Sequence, residues 1–172
     1  MIRQKSIVRK LPAVETLGCA SIICSDKTGT MTQNKMTVTH VWSGGKTWNV
    51  SGIGYEPEGS FTMNGRDVQA RHHKPLQQVL LFGALCNSSS IIEKDGEFRL
   101  DGDPTEGALL TAARKAGFTD RYVDEHFNII EEFPFDSTRK MMSVIAEDKS
   151  GKRFVITKLS LIHISEPTRQ AE

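Results

Sequence analysis

The sequence predicts an α/β protein made of two unequal parts, and three patterns support this. A short apolar run, Ala20–Ser25, ends in a turn signal and is typical of a buried parallel strand. Two later segments carry helix start signals, and the last third contains three short runs of alternating apolar and polar residues. Because one strand cannot make a parallel sheet, we expect an incomplete first part and a second, α+β part with an antiparallel sheet.

The second part begins near Val38 with "MTVTHVWSGGKTWNVSG", whose alternation around Gly44–Gly45 predicts an antiparallel hairpin. The following segment, 51–74, is rich in Gly, Pro and charge and predicts loop and turns. The runs "FNIIEEFPF", "MMSVIAED" and "KRFVIT" predict three successive antiparallel strands, with turns at "DSTRK" and "DKSGK".

Two helices are predicted between these sheets. The first runs through "PLQQVLLFGALCN" with Pro75 in its first turn. The second starts at Asp103 as N-cap, with Pro104 in the first helical position and Glu106 three residues past the cap, and it ends at Gly117. An acidic residue at that spacing predicts a capping box.

Composition excludes several classes of function. The 172 residues carry 22 Lys and Arg against 21 Asp and Glu, so no charge excess indicates a nucleic acid partner. The longest apolar stretch, "VLLFGALC", is far shorter than the roughly 20 residues of a membrane helix. The three cysteines show no metal-binding spacing and predict reduced, buried thiols.

The string "CSDKTGT" contains the residue types that a carboxylate nucleophile needs. Asp26 would stand at a strand end, where it could attack a terminal phosphate. Lys27 and the loop Thr28-Gly29-Thr30 would receive the phosphoryl oxygens. The alternative is a plain surface turn, since Asp, Thr and Gly all favour turns.

The longer string "CSDKTGTMTQNKMTV" resembles the phosphorylation motif of the P-type cation-pumping ATPases, especially the calcium type, which belong to the haloacid-dehalogenase-like superfamily. The resemblance implies an incomplete haloacid-dehalogenase-like (Rossmann-like) phosphorylation-domain piece, in which Asp26 is phosphorylated and Lys27 and Thr28 take part in catalysis. It also implies Mg²⁺, bound by the Asp26 carboxylate and the Thr28 main-chain carbonyl. Many phosphatase relatives have a second aspartate at the place of Thr28, so slow hydrolysis of the acyl phosphate is expected here.

The strings "GDPTEGALL" and "FPFDSTRKMMS" resemble nucleotide-domain motifs of the same family. Residues alone leave other readings open: Glu106 as a mere cap, Phe135 as a core residue and Arg139 as an exposed turn residue. The assignment of Lys158 to the nucleotide site is based on one matching residue, because Leu159 and Ser160 stand where the family has Gly and Ala. The resemblance implies an ATP site formed by Thr105, Glu106, Phe135, Arg139, Lys140 and Lys158.

We therefore expect residues 1–37 to be the leader and first strand of an incomplete phosphorylation domain, and 38–158 a nearly complete nucleotide-binding domain. Residues 159–172 should be an artefactual tail, since Leu159 to Arg169 matches the translation of a transposase-type library adapter. The resemblance then implies an ATP-driven cation pump that transports calcium. The membrane segments of such a pump are absent here, and the two domains present here would be cytoplasmic. On its own this soluble fragment should neither pump nor phosphorylate itself well.

Two other functions stay open at this point. The chain could be a stand-alone nucleotide-binding module without catalysis. It could also be a soluble haloacid-dehalogenase-like phosphatase, which Thr28 argues against.

Overall fold

The computed structural model describes residues 18–160, and the chain divides between Asn34 and Lys35 into two compact units. In the described part of the first unit, Lys27–Met31 forms a single π-helical turn. The strand predicted at Ala20–Ser25 is wrong, because these residues adopt no strand and Ile22 and Ile23 are exposed. A buried parallel strand needs paired neighbours, and among residues 18–160 every strand begins at His40 or later.

The second unit is an α+β body of short strands and helices. Its described strands are β1 His40–Ser43, β2 Lys46–Val50, β3 Phe61–Met63, β4 Arg66–Val68, β5 Ser90–Lys94, β6 Glu97–Asp101, β7 Phe127–Asp136, β8 Met141–Asp148 and β9 Arg153–Leu159. Its described helices are the 3-10 turn Ala70–His72, α1 Lys74–Leu85, α2 Pro104–Lys115 and α3 Asp120–His126. All pairings between these strands are antiparallel, which confirms the antiparallel part of the predicted fold.

The first sheet has the order β1-β2-β3-β4. Its β1–β2 hairpin turns at Gly44 and Gly45, as predicted. Its β3–β4 hairpin lies inside the segment predicted as loop, and there the expectation is wrong. Asn64 and Gly65 both have positive φ, and Asn-Gly at this place is a strong signal for a two-residue hairpin. The β5–β6 hairpin, also missed, uses Asp95-Gly96 in the same way.

The helices α1 and α2 were predicted and pack against each other. α1 begins with Pro75 in its first turn and buries Leu76, Leu80, Leu81 and Leu85. α3 was not predicted, although Thr119 caps it by accepting a hydrogen bond from the Tyr122 amide at 3.2 Å. No helix in the described range 18–160 combines the length and the apolar character that crossing a membrane requires.

The C-terminal sheet has the order β7-β8-β9 and supplies one side of the core. Met142, Val144 and Ala146 alternate along β8 and are buried, while their partners on β9 are Lys158, Ile156 and Phe154. Paired residues of neighbouring strands lie on the same face of a sheet. Lys158 therefore belongs to the covered face.

The structure also bears on the expected C-terminal tail and on the cysteines. Leu159 pairs with Met141 at the end of β9, and the Ser160 amide donates to the Lys140 carbonyl at 3.0 Å. The rest of the expected tail, 161–172, and the leader residues 1–17 lie outside the described residues. All three cysteines are free, but Cys86 alone is buried. Cys19 and Cys24 are exposed, so the expectation of buried thiols is wrong for both, and Cys24 lies in the segment where the expected strand is not formed.

Candidate functional site

Glu106, in the first turn of α2, forms an ion pair with Lys158 on β9 through its Oε1 atom. The Glu106 residue is only 7% exposed. The Lys158 side chain is 23% exposed, so one end of the pair reaches solvent. A buried carboxylate beside a partly exposed ammonium is a polar point at which a ligand can be recognised.

The second carboxylate oxygen of Glu106, Oε2, accepts three hydrogen bonds from the loop that follows α1. The Ser88 amide lies at 3.2 Å, the Ser88 hydroxyl at 3.1 Å and the Ser89 hydroxyl at 2.7 Å. We call Ser88 and Ser89 the serine pair. Sequence reasoning missed them, because serines after a helix are ordinary loop residues and nothing in their spacing points to Glu106.

The predicted capping box is only half formed. The Asp103 side chain does cap α2, since Oδ1 accepts from the Thr105 amide at 2.8 Å and the Glu106 amide at 3.3 Å. Glu106 does not reach back to the Asp103 amide, which instead donates to the Ser89 hydroxyl at 2.9 Å. The Glu106 carboxylate is thus engaged by Lys158 and the serine pair rather than by the helix cap.

The charge of Glu106 is stabilised by these contacts. Burial alone would raise the pKa of its carboxyl, but hydrogen bonds from Lys158 and Ser89, the charge of Lys158 and the Ser88 contact hold the pKa below its ordinary value. Among the described residues, every buried side-chain nitrogen or oxygen has a hydrogen-bond partner. Glu106 is therefore an ionised acceptor at neutral pH.

Phe135 lies near the end of the edge strand β7 and is 55% exposed, so it is not a core residue. The β7–β8 register shifts between Phe133 and Asp136, and this places Pro134 and Phe135 opposite Met142. Met142 pairs in turn with Lys158. Phe135 and Lys158 are thus two strand spacings apart, roughly 10 Å between backbones.

The turn after β7 carries the two predicted cations. Asp136 Oδ1 accepts from the Thr138 amide at 2.7 Å and the Arg139 amide at 2.9 Å. These backbone bonds, from Arg139 and then Thr138, lower the pKa of the Asp136 carboxyl. Arg139 Nε also lies 3.7 Å from Asp136 Oδ2, and exposed Lys140 closes the turn with φ +53°. The turn holds both cationic residues at the end of Phe135's strand.

Thr105 occupies the exposed first turn of α2, next to Glu106 in sequence. Its hydroxyl lies 3.6 Å from Met36 Sδ, a weak contact. The structure therefore groups Thr105, Glu106 and Lys158 around the start of α2, and groups Phe135, Arg139 and Lys140 at the end of β7.

Asp26 belongs to the first unit and is exposed. Its Oδ1 accepts a hydrogen bond from the Lys27 amide at 2.7 Å, which makes it the N-cap of the Lys27–Met31 turn. Gly29 has φ +77°, and the Thr32 amide closes the turn on the Lys27 carbonyl at 3.1 Å. Within residues 18–160 there is no cluster of three metal-binding side chains.

Comparison with known proteins identifies the family of the chain. The family model described as "P-type ATPase, cytoplasmic domain N" matches residues 75–160. The chain is 73% identical over 158 residues to a calcium-transporting ATPase of Bacillus subtilis, covering 92% of this chain and 18% of that protein. It is 42% identical over 161 residues to the cation-transporting ATPase pma1 of Synechocystis, covering 91% and 18%.

A human calcium-transporting ATPase, type 2C member 1, is 40% identical over 145 residues, covering 84% of this chain and 15% of that protein. The chain thus spans less than a fifth of the length of these relatives. The domain-N match covers half of the chain and includes Glu106, Phe135 and Lys158. This chain belongs to the P-type ATPase family and resembles its calcium-transporting members.

Proposed function

We propose that the chain is the nucleotide-binding and phosphoryl-accepting part of an ATP-driven cation pump, with calcium as the transported ion. The observation that carries this proposal is the buried Glu106–Lys158 pair at the start of α2, inside the segment that matches domain N. The ion itself rests on the names of the relatives, two of which are calcium-transporting ATPases.

The nucleotide contacts follow from exposure and charge. The Phe135 ring, more than half exposed at the sheet edge, offers an apolar face on which a base can stack. Lys158 and Lys140 supply positive charge for the nucleotide, and Arg139 can present its planar fork to a phosphate from the same turn. Thr105 adds an exposed hydroxyl beside Glu106.

The phosphoryl transfer is assigned to Asp26. One of its carboxylate oxygens attacks the γ-phosphorus of ATP, the bond from that phosphorus to the bridging oxygen breaks, and ADP leaves with the electron pair. Lys27 and the backbone of the turn at Thr28 would offset the charge of the phosphoryl oxygens. Asp26 is exposed, as a residue that accepts a phosphoryl group from bound ATP has to be.

The residues at Asp26 also fit Mg²⁺. This ion prefers hard oxygen ligands and is commonly bound by one or two carboxylates together with waters and substrate phosphates, so it needs no cluster of three acidic side chains. The exposed Asp26 carboxylate and the Thr28 main-chain carbonyl would supply such oxygens. When bound, the ion neutralises charge on the transferring phosphate.

For the domains, we assign residues 1–37 to the phosphorylation domain, 38–158 to the nucleotide-binding domain and 159–172 to an adapter-derived tail. In the whole pump these domains would be cytoplasmic, and the cation would cross the membrane through other segments of the protein. Hinge closure would bring bound ATP to Asp26.

Nucleotide binding is tested by calorimetric titration of the chain with ATP. Phe135→Ala should weaken binding at least tenfold if the ring stacks on the base, which corresponds to about 1.4 kcal/mol. Phe133→Ala is the matched control, because Phe133 is 40% exposed on the same strand and has no proposed contact with the nucleotide. Equal effects of the two substitutions would contradict the proposed site.

The role of Asp26 is tested in a chimera, in which residues 1–158 replace the matching segment of the Bacillus subtilis relative. With ATP and Mg²⁺ the chimera should form an acid-stable, hydroxylamine-labile phosphoenzyme that is abolished by Asp26→Asn. Asp124→Asn on α3 is the control for an exposed carboxylate. If Asp26→Asn retains the labile phosphate, the assignment is wrong, and ATP binding without any label would favour a module without catalysis.

A further inference from the structure

We propose that Ser89 is a positioning residue for nucleotide recognition: its hydroxyl holds Glu106 so that Oε1 alone, beside Lys158, is open to an amino group of the ligand. This proposal rests on the proposed nucleotide-binding function.

The first step is the occupancy of the Glu106 carboxylate. An ionised carboxylate has about four lone-pair positions, two on each oxygen. Three donors, two from Ser88 and one from Ser89, already share the two positions of Oε2, so this oxygen has none left for a ligand. Oε1 accepts from Lys158 alone among the described residues and keeps one position free. A donor on the ligand must therefore approach Oε1.

The second step is the rigidity of Ser89. Its hydroxyl accepts from the Asp103 amide at 2.9 Å while donating to Glu106 Oε2 at 2.7 Å, and its own amide donates to Asn87 Oδ1 at 2.9 Å. A Cβ atom placed on Gly102 would lie 2.1 Å from the Ser89 hydroxyl oxygen, so this position must lack a side chain. The hydroxyl is fixed against the backbone at the start of α2.

The third step is the ligand chemistry. Lys158 Nζ has three donors, and Glu106 Oε1 is an acceptor next to it. This arrangement suits a ring with an exocyclic amine adjacent to a ring nitrogen, as on the six-membered ring of adenine. The amine donates to Oε1 and the ring nitrogen accepts from Lys158. Ser89 does not touch the ligand in this scheme but determines which carboxylate oxygen faces it.

The test combines a substitution with a change in the ligand. ATP is compared with purine riboside triphosphate, which lacks the exocyclic amine, by calorimetric titration of the 172-residue chain. Ser89→Ala should weaken ATP binding about tenfold, the usual effect of losing one hydrogen bond to a charged group. It should change binding of the amine-free analogue less than twofold, because that ligand makes no bond to Oε1.

A matched control removes a similar hydroxyl elsewhere. Ser150 donates to the Asp148 carboxylate at 2.5 Å in the β8–β9 turn, and Ser150→Ala should leave both ligands unaffected. If Ser89→Ala impairs folding by circular dichroism, Ser88→Ala tests the same oxygen through the longer bond. It should give a smaller effect with the same dependence on the amine.

The outcomes separate the two proposals. If Ser89→Ala weakens the binding of both ligands equally, or of neither, Ser89 is not a positioning residue, even when Phe135→Ala and Glu106→Gln still weaken ATP binding. If the chain binds neither nucleotide, or if Phe135→Ala and Glu106→Gln leave ATP binding unchanged, the proposed function fails together with this inference.

The pH dependence of ATP binding distinguishes a positioning role of Ser89 from a merely structural one. The measurement is the pH at which ATP binding is lost on the acid side. Ser89→Ala should shift it to higher pH, since a hydrogen bond to the ionised carboxylate is lost.

Discussion

Glu106 and Lys158 are 52 residues apart in sequence, yet their side chains form an ion pair that joins the first turn of α2 to the last residues of β9. The pair connects a helix to a strand of the C-terminal sheet. It also determines the local charge of the candidate site, because Lys158 and the serine pair together keep the Glu106 carboxyl ionised.

Replacing Lys158 with Met should destabilise the fold. The substitution leaves a carboxylate that is only 7% exposed without its counter-ion. Breaking a buried pair costs about 3–5 kcal/mol, and because Lys158 is partly exposed we expect about 2 kcal/mol in urea unfolding. Arg121→Met removes the exposed pair with Glu125 and should cost less than about 0.5 kcal/mol. Equal losses for the two variants would contradict a structural role for the Glu106–Lys158 pair.

The stability of the chain should depend on the ionisation of Glu106 below neutral pH. Because the pKa of this carboxyl is lower in the folded protein than its ordinary value of 4.5, the unfolded chain binds more protons between the two pKa values. The stabilisation is therefore full above about pH 5 and is lost as the pH falls through the folded pKa.

Urea midpoints at pH 7 and pH 4 measure this effect. Wild type should lose more stability than Glu106→Gln over this interval. Asp136 and Asp148 also have lowered pKa values and add to the acid dependence of both proteins, so the comparison with Glu106→Gln isolates one carboxyl. An identical drop in both proteins would show that Glu106 makes no contribution.

Local sequence signals were sufficient for elements whose residues act on their own neighbours. Gly44–Gly45, Pro75 and Asp103 each marked a turn or a helix start, and the structure confirms all three. The β3–β4 hairpin carries an equally local signal in Asn64-Gly65, but the Gly, Pro and charge content of segment 51–74 favoured loop instead.

The features that were not predicted from the sequence depend on contacts between residues far apart in the chain. Whether Ala20–Ser25 forms a strand depends on partners that lie elsewhere in the chain, so its apolar character alone gave the wrong answer. Nothing local links Ser89 to Glu106, because the tertiary packing of α2 against the loop after α1 brings them together. The roles of Asp26 and Phe135 as site residues came from the family resemblance and stay predictions.

Removing the Asp103 carboxylate should weaken α2 without changing the charge of Glu106. Its Oδ1 caps the Thr105 and Glu106 amides, so Asp103→Ala should cost about 1 kcal/mol by thermal unfolding. Asp103→Asn should retain most of the stability, since an asparagine caps almost as well. A loss in Asp103→Asn as large as in Asp103→Ala would show that charge, rather than capping, is the essential property.

Gly102→Ala should be among the most damaging single-methyl additions in this region. Gly102 has φ +131°, and its added Cβ would lie 2.1 Å from Ser89 Oγ and 2.5 Å from Ser89 Cβ. Both the backbone strain and the clash act on the loop that holds Glu106, so we expect a loss of about 2–3 kcal/mol in urea unfolding. Gly65→Ala is the matched control, because Gly65 also has a positive φ, +75°, but no atom within 4 Å of the added Cβ. The control should cost about 1 kcal/mol from backbone strain alone. If Gly102→Ala is no more destabilising than Gly65→Ala, the close approach of Ser89 to the start of α2 is wrong.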